Sequence, residues 1–531
     1  MRTRRSFTRG WQFFTAAAVV GGCLSASALR PYAAAGPARS SAGARAVAAA
    51  SAPKEPKTAA EAPEPVSIDL GKAVEVSLPG AGPDLQPASF KTADGREGWV
   101  VRIPGGKPLA TPAYSNGRLF VGGGYGSHEF YAFDAKTGRL VWKTPTGDDG
   151  PTAAVVEDGC VAFNTESCTL VVVDEKTGKL VWQEWLGDPL MSQPAVSKGR
   201  LYMAYPKGQR NGNRGIMQHG GQQKATRPAE AEAGSHRLLC TDLKTGKHIW
   251  ERAISGDVIS APVVSEGKVY ATTFDGTSYS FDAASGGLVW KRENAGTSAP
   301  VVVGGEVVVT QKEERDGKSY EAMHRLDARR GVATERAPIA RSEAGYLGRD
   351  KGGGVALKEQ QAASLDSSVG FGSAPAAAQL HRANDHLGVK TVAGGWAYQG
   401  SRAAYSKGRM LNAQGRYLNS INASDGRFAW RAEVRGGGLA EDAQVFSPPA
   451  LGHEFMYLAS ARGHLLSVGQ RDGRVGFMYH FPEPMVFQPA LAEGAVYVGT
   501  SGGLLICLKT GSADADGWYA WGGNGEHNKN K

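Results

Sequence analysis

Tyr131-Ala132-Phe133-Asp134-Ala135-Lys136-Thr137-Gly138-Arg139-Leu140-Val141-Trp142 reads as a strand, a tight turn and the start of a second strand. The apolar run stops at Asp134, whose side chain can cap turn N–H groups, and Gly138 supplies the positive φ such a turn demands. The same frame returns at Asp174, Gly178 and Trp182, at Asp242, Gly246 and Trp250, and at Asp282, Gly286 and Trp290. Looser copies are Asp327 with Gly331 and Glu335, Asn422 with Gly426 and Trp430, Gly469 with Gly473 and Phe477, and Cys507 with Gly511. Eight copies, several of them about 40 residues apart, give the period of one propeller blade.

Outward from that turn, each full copy reads as four strands. Thr111-Pro112-Ala113-Tyr114-Ser115-Asn116-Gly117 opens the first copy and Ser298-Ala299-Pro300-Val301-Val302-Val303-Gly304-Gly305 the fifth. Proline is tolerated at the start of such a strand, where no ladder donor is needed. The 72 glycines suit many tight turns and few long helices. The expected fold class is therefore all-β, an eight-bladed β-propeller of four-stranded antiparallel blades. The eighth copy lacks its last strand, while Asp94 to Trp99 repeats the turn without a hairpin of its own. Residues 96–103 are expected to complete the last blade, so that an N-terminal strand closes the ring and leaves no free sheet edge there.

Over about residues 91–511 these repeats resemble the PQQ repeat of quinoprotein dehydrogenases and of BamB-like envelope propellers. That resemblance implies that Trp99, Trp142, Trp182, Trp250, Trp290 and Trp430 dock one blade on the next. It also raises the question of a cofactor. The dehydrogenases hold PQQ under two adjacent, disulfide-linked cysteines, above a tryptophan, with calcium on carboxylates. Here the cysteines are 23, 160, 168, 240 and 507, none adjacent. Cys160 and Cys168 fall at opposite ends of one strand, beyond disulfide reach. No Ser/His/Asp order, paired-histidine motif or phosphate loop stands out, so no catalytic residue and no cofactor is expected. The reading is a non-catalytic binding or scaffolding propeller of the cell envelope, with outer-membrane protein assembly as one setting. The alternative is a PQQ- or metal-dependent periplasmic oxidoreductase, with PQQ and calcium as its cofactors.

The charge excludes a further class. Arg2, Arg4, Arg5, Arg9 and Arg30 lie in the first 35 residues, and without them the formal charge falls from +9 to +4. No basic run or zinc-ligand spacing follows, so no nucleic-acid partner is expected. The four leading arginines, the apolar Phe13–Val20 and the Ala-rich Ala26–Ala28 and Ala33–Ala35 read as an export signal over residues 1–35. Thr3–Phe7 fits a twin-arginine signal as well as an ordinary basic leader. Val20-Gly21-Gly22-Cys23 fits a lipobox, with Cys23 lipidated, or a cysteine lost with the cleaved leader. Only that lipid would tie the chain to a membrane, since no later run is long and apolar enough to cross one. The expectation is an exported, monomeric propeller in the periplasm or at the outer membrane, with an envelope protein as its partner. Residues 36–90 read as an Ala/Pro-rich linker and residues 512–531 as a polar C-terminal tail.

Strand alternation divides the turns between two faces. The blade-to-blade loops share a face with the turns between second and third strands, and the other turns are short and uniform. The insertions 205–236 and 336–400 both fall on the first face. So do Asp148, Asp149, Asp188, Asp257, Glu441, Asp442 and Glu483, before the innermost strands, and His128, Glu129, Glu166 and Asp275 in the other turns. Such a ring can bind a cation or a basic partner segment; equally, these are the polar residues that solvated loops carry. Arg210, Arg214, Lys224 and Arg227 in the first insertion could fold over that ring, and Trp396 and Tyr398 in the second offer shape to a partner.

Overall fold

In the computed structural model the described residues are 64–80, 83–343, 402–436 and 446–528, apart from 125, 149, 166–167, 187–191, 207–215, 219–220, 224–235, 316–317 and 335–338. They form eight antiparallel sheets arranged as the blades of a propeller. Blade 1 takes Ala113–Ser115, Arg118–Gly122, Glu129–Asp134 and Leu140–Pro145. Blades 2 to 7 start at Val155, Ala195, Val263, Val301, Ala404 and Ala450. The first strands of successive blades lie against one another around the axis, so each sheet runs from the channel outward. Blade 8 holds Ala490–Ala492, Ala495–Gly499 and Leu504–Lys509, and Glu97–Arg102 adds as its fourth strand, with Ile506 opposite Val100.

The sequence frame explains the blade contacts. Asp134 Oδ1 accepts from the Thr137 N–H (2.8 Å) and hydroxyl (2.6 Å), and the Gly138 N–H returns to the Asp134 carbonyl. Gly138 sits at φ 72°, and a Cβ there would stand 2.8 Å from the Trp99 ring, so only glycine admits the preceding blade's indole. Each indole N–H then donates to the carbonyl beside the next blade's turn: Trp99 to Ala135, Trp142 to Glu175, Trp182 to Leu243, Trp250 to Ala283, Trp290 to Ala328 and Trp430 to Gln470. Apolar burial and a satisfied N–H at every such seam tie the ring together.

Two seams lack the tryptophan: after blade 5 the position is Glu335, outside the described residues, and after blade 7 an arginine takes over. Where blade 7 carries Phe477, the Arg96 guanidinium lies 5.1 Å over that ring, and its Nε donates to the Thr510 carbonyl (3.1 Å). Thr510 is the counterpart of Ala135, because its N–H bonds to Gly494 as that of Ala135 bonds to Gly117. The eighth copy is thus framed on Lys509, paired with Ala495 as Asp134 is with Arg118, and the Cys507–Gly511 frame read from the sequence is two residues out.

Three boundaries differ from the sequence reading. The second half of the 36–90 linker runs along outer blade edges: Val66–Asp69 pairs in parallel with blade 6, Val74–Glu75 with blade 7, and Ala88–Lys91 antiparallel with the closing strand of blade 8. Unpaired edge N–H and C=O groups there attract any extended segment, and these residues are the nearest. Ile339–Glu343 pairs with Lys318–Asp327 as the outer strand of blade 5, so the start of the 336–400 segment is blade and not insertion. Within 205–236, Ile216–Gln218 and Gly221–Gln223 form a hairpin that pairs with the outer strand of blade 2. Residues 512–528 differ too, and they shape the site.

Candidate functional site

At the face of the blade-to-blade loops, the carboxylates are engaged within the fold. Asp148 Oδ2 accepts from the Thr165 hydroxyl (2.5 Å) and the Thr169 hydroxyl (2.7 Å). Glu483 Oε2 accepts from the Thr500 hydroxyl (2.5 Å), and a Cβ on Gly502 would stand 2.4 Å from that carboxylate. Both pairs tie a blade-to-blade loop to a turn between second and third strands. Asp275 accepts from the Thr273 hydroxyl (2.5 Å) and the Thr277 N–H (3.0 Å). Burial works to raise its pKa, but bonds from Thr273, Ser255 and Thr277 outweigh it and hold the carboxyl below its usual range.

Asp257 is 1% exposed and accepts from the Val258 N–H (2.8 Å), so its carboxyl is buried and not open to solvent at the channel mouth. Glu129 pairs with Lys143 at 2.7 Å, and His128 is exposed beside it. Asp149, Glu166, Asp188, Glu441 and Asp442 lie outside the described residues, as do Trp396, Tyr398 and the basic residues of the first insertion.

The channel itself is filled from the opposite face by the chain's own C-terminus. Residues 512–528 do not hang free. The middle residue of the innermost strand donates its N–H to this segment in four blades: Tyr114 to Tyr519, Val196 to Gly525, Val264 to Glu526 and Leu491 to Trp518. Innermost strands have one edge without a neighbouring strand, and the segment satisfies it. Asp514 accepts from the Glu454 N–H (2.5 Å) and the Tyr457 hydroxyl (2.8 Å) in blade 7. Trp521 is 1% exposed and packs on Ala261 and Ala299 of blades 4 and 5.

Opposite those alanines, Arg402 of blade 6 stacks 4.8 Å from the Trp521 ring and donates to the His527 carbonyl. His527 faces the Trp521 carbonyl (2.6 Å) and the Pro194 carbonyl (2.9 Å). Burial, with the Arg402 charge adding to it, pushes that imidazole down to about 4. Beside the segment, Tyr114, Asn116, Glu493, Tyr519 and Asn524 line a cleft of about 520 Å³. The stretch Gly517-Trp518-Tyr519-Ala520-Trp521-Gly522-Gly523 carried the signal, since three aromatic residues flanked by glycines do not belong in a solvated tail.

The chemistry implied by the dehydrogenase resemblance does not fit these residues. Cys160, Cys168, Cys240 and Cys507 are buried and in no disulfide, and burial pushes the Cys240 and Cys507 thiols up to about 12. Among the described residues no three His, Cys, Asp or Glu side chains stand together as metal ligands. The described arrangement holds blades in register and presents loops.

Fold, repeats and seams define an eight-bladed β-propeller of the PQQ-repeat class. More narrowly, the chain belongs to the family described as outer membrane protein assembly factor BamB, whose model matches residues 88–228, 230–358 and 383–516. It is similar to outer membrane protein assembly factor BamB of Yersinia pestis, 27% identical over 201 residues, which is 35% of this chain and 44% of the relative. The Burkholderia pseudomallei protein of the same name is 26% identical over 277 residues, 44% of this chain and 71% of that one. The chain thus spans about half the length of several relatives it matches. Among solved structures, the computationally designed Ika8 protein superposes with a TM-score of 0.52 at 12% identity, over 77% of this chain and 98% of that one. BamB from Moraxella catarrhalis gives a TM-score of 0.47 at 11% identity over 80% and 98%.

Proposed function

We propose that this chain is a non-catalytic scaffolding propeller of the bacterial cell envelope that works in outer-membrane protein assembly by binding an envelope protein. The match of the BamB family model along most of the propeller carries this reading. Two observations support it. The channel is packed with the chain's own residues 512–528, and the carboxylates described at the other face brace loops instead of converging on a vacant centre. The leader is read as placing the protein outside the cytoplasm, with Cys23 either lipidated at a lipobox or lost with the cleaved leader.

The test is affinity capture of the full chain from detergent-solubilised envelope of its own bacterium. The expected result is specific recovery of outer-membrane assembly proteins, lost at high salt or with unfolded protein. Saturable dye reduction by purified protein supplied with PQQ and calcium, with no envelope protein captured, would replace this reading with the oxidoreductase.

A further inference from the structure

We infer that the axial channel holds a small inorganic anion of halide size at the edge of the stacked Arg402 and Trp521 pair. Arg402 is 6% exposed, and its charge is enclosed by the propeller and the C-terminal segment. Nη2 is satisfied by the His527 carbonyl, whereas Nε, equally buried, has no protein acceptor. The Trp521 indole N–H, in the ring the guanidinium stacks on, also has none. Gln193, next to the Pro194 that meets His527, keeps a buried Oε1 without a donor.

Two buried donors and a full positive charge make a setting that an anion satisfies and a carbonyl does not. An isolated buried charge is among the most costly groups a protein can hold, and arginine does not escape by losing its proton. Burial is the sole influence on the pKa of Arg402, lowering it to about 9, with no carboxylate contributing. Stacking on an indole compensates part of that cost and leaves the N–H groups unmet. The local sequence is built to admit the guanidinium: Gly522 has φ 72°, and a Cβ there would stand 2.6 Å from Arg402 Nη1. With Arg402 6% and Trp521 1% exposed the place is enclosed, so the occupant inferred is a small ion such as chloride or bromide.

Two experiments on the full chain test this. At fixed ionic strength, replacing gluconate, too bulky to enter, with chloride should raise Tm by roughly 2 °C or more, increasing with the logarithm of chloride, as a ligand of the folded state does. The Arg402→Met variant should lose that dependence. Because that variant can fail to fold, wild-type protein crystallised in bromide provides an independent reading: an anomalous peak at hydrogen-bond distance from Arg402 Nε and Trp521 Nε1 is expected. A water molecule there without anomalous signal, or a wild-type Tm indifferent to the anion supplied, overturns the inference.

Discussion

At Gly246 the backbone has φ 69°, and a Cβ would stand 2.8 Å from the ring of Trp182, which is fully buried and bonded to Leu243 at 2.7 Å. Ring and glycine form one joint, and the two halves fail differently. Trp182→Phe keeps most of the packing and loses a hydrogen bond, costing about 1 kcal/mol, whereas Trp182→Ala leaves a cavity costing about 3–5 kcal/mol. Urea unfolding of both variants checks the order; equal losses would show that the hydrogen bond and not the ring holds the joint. His464 offers a second test. Burial first, then the neighbouring His480, push its imidazole down to about 4, against an ordinary 6.5. Between those values the unfolded chain binds the extra proton, so stability is complete above pH 6.5 and declines as pH falls toward 4. His527 acts in the same sense. His464→Gln should therefore flatten, without abolishing, the fall of Tm between pH 6.5 and 4.

Elements show where the repeat is bent to local need. Blade 7 meets blade 8 through Arg96, which stacks on Phe477, bonds to Thr510 and pairs with Asp94 at 2.5 Å. Arg96→Ala removes stacking and a charge-assisted bond at the seam where the two ends of the chain join, and a loss of about 2 kcal/mol is expected. Arg96→Lys should recover little of it, since an ammonium cannot stack and donate in one plane. Both are read from thermal melts, and a variant indistinguishable from wild type would show that the sheet ladder alone closes the ring. Edges follow the same physics: 66–69, 74–75 and 88–91 each take an outer strand as template, and His480 pairs with Glu75 at 2.9 Å to fix the middle one.

At the scale of the whole molecule, both termini close the ring, at different radii. The N-terminal strand completes blade 8 from outside, and residues 512–528 reach inner strands on opposite sides of the axis. Ending the chain after Ser512 exposes four inner-strand N–H groups and the Ala261–Ala299 surface together, so the propeller should lose many degrees of Tm and cooperativity. Trp521→Ala removes only the central side chain and should cost about 3–5 kcal/mol. Calorimetry of the two proteins checks this. A truncated chain melting within a degree of the parent would show that the segment rests on the channel without bracing it.

The number of blades, the tight turns, the docking tryptophans and the N-terminal closing strand were all legible in the chain, because a repeat of about 40 residues carries each joint as a pattern of turn and aromatic residues at fixed spacing. Site chemistry was far less legible. A carboxylate in a loop looks the same in sequence whether it faces water, as expected of Asp257, or is buried, as it is. The belt along blades 6 to 8 and the segment inside the channel have no repeat to announce them. They lie where they do because sheet edges and an axial cavity, created only once eight blades are assembled, leave backbone groups and apolar walls for whatever chain is near. That surplus was decided by the tertiary structure, and with it the setting of Arg402, which in sequence is one arginine among many.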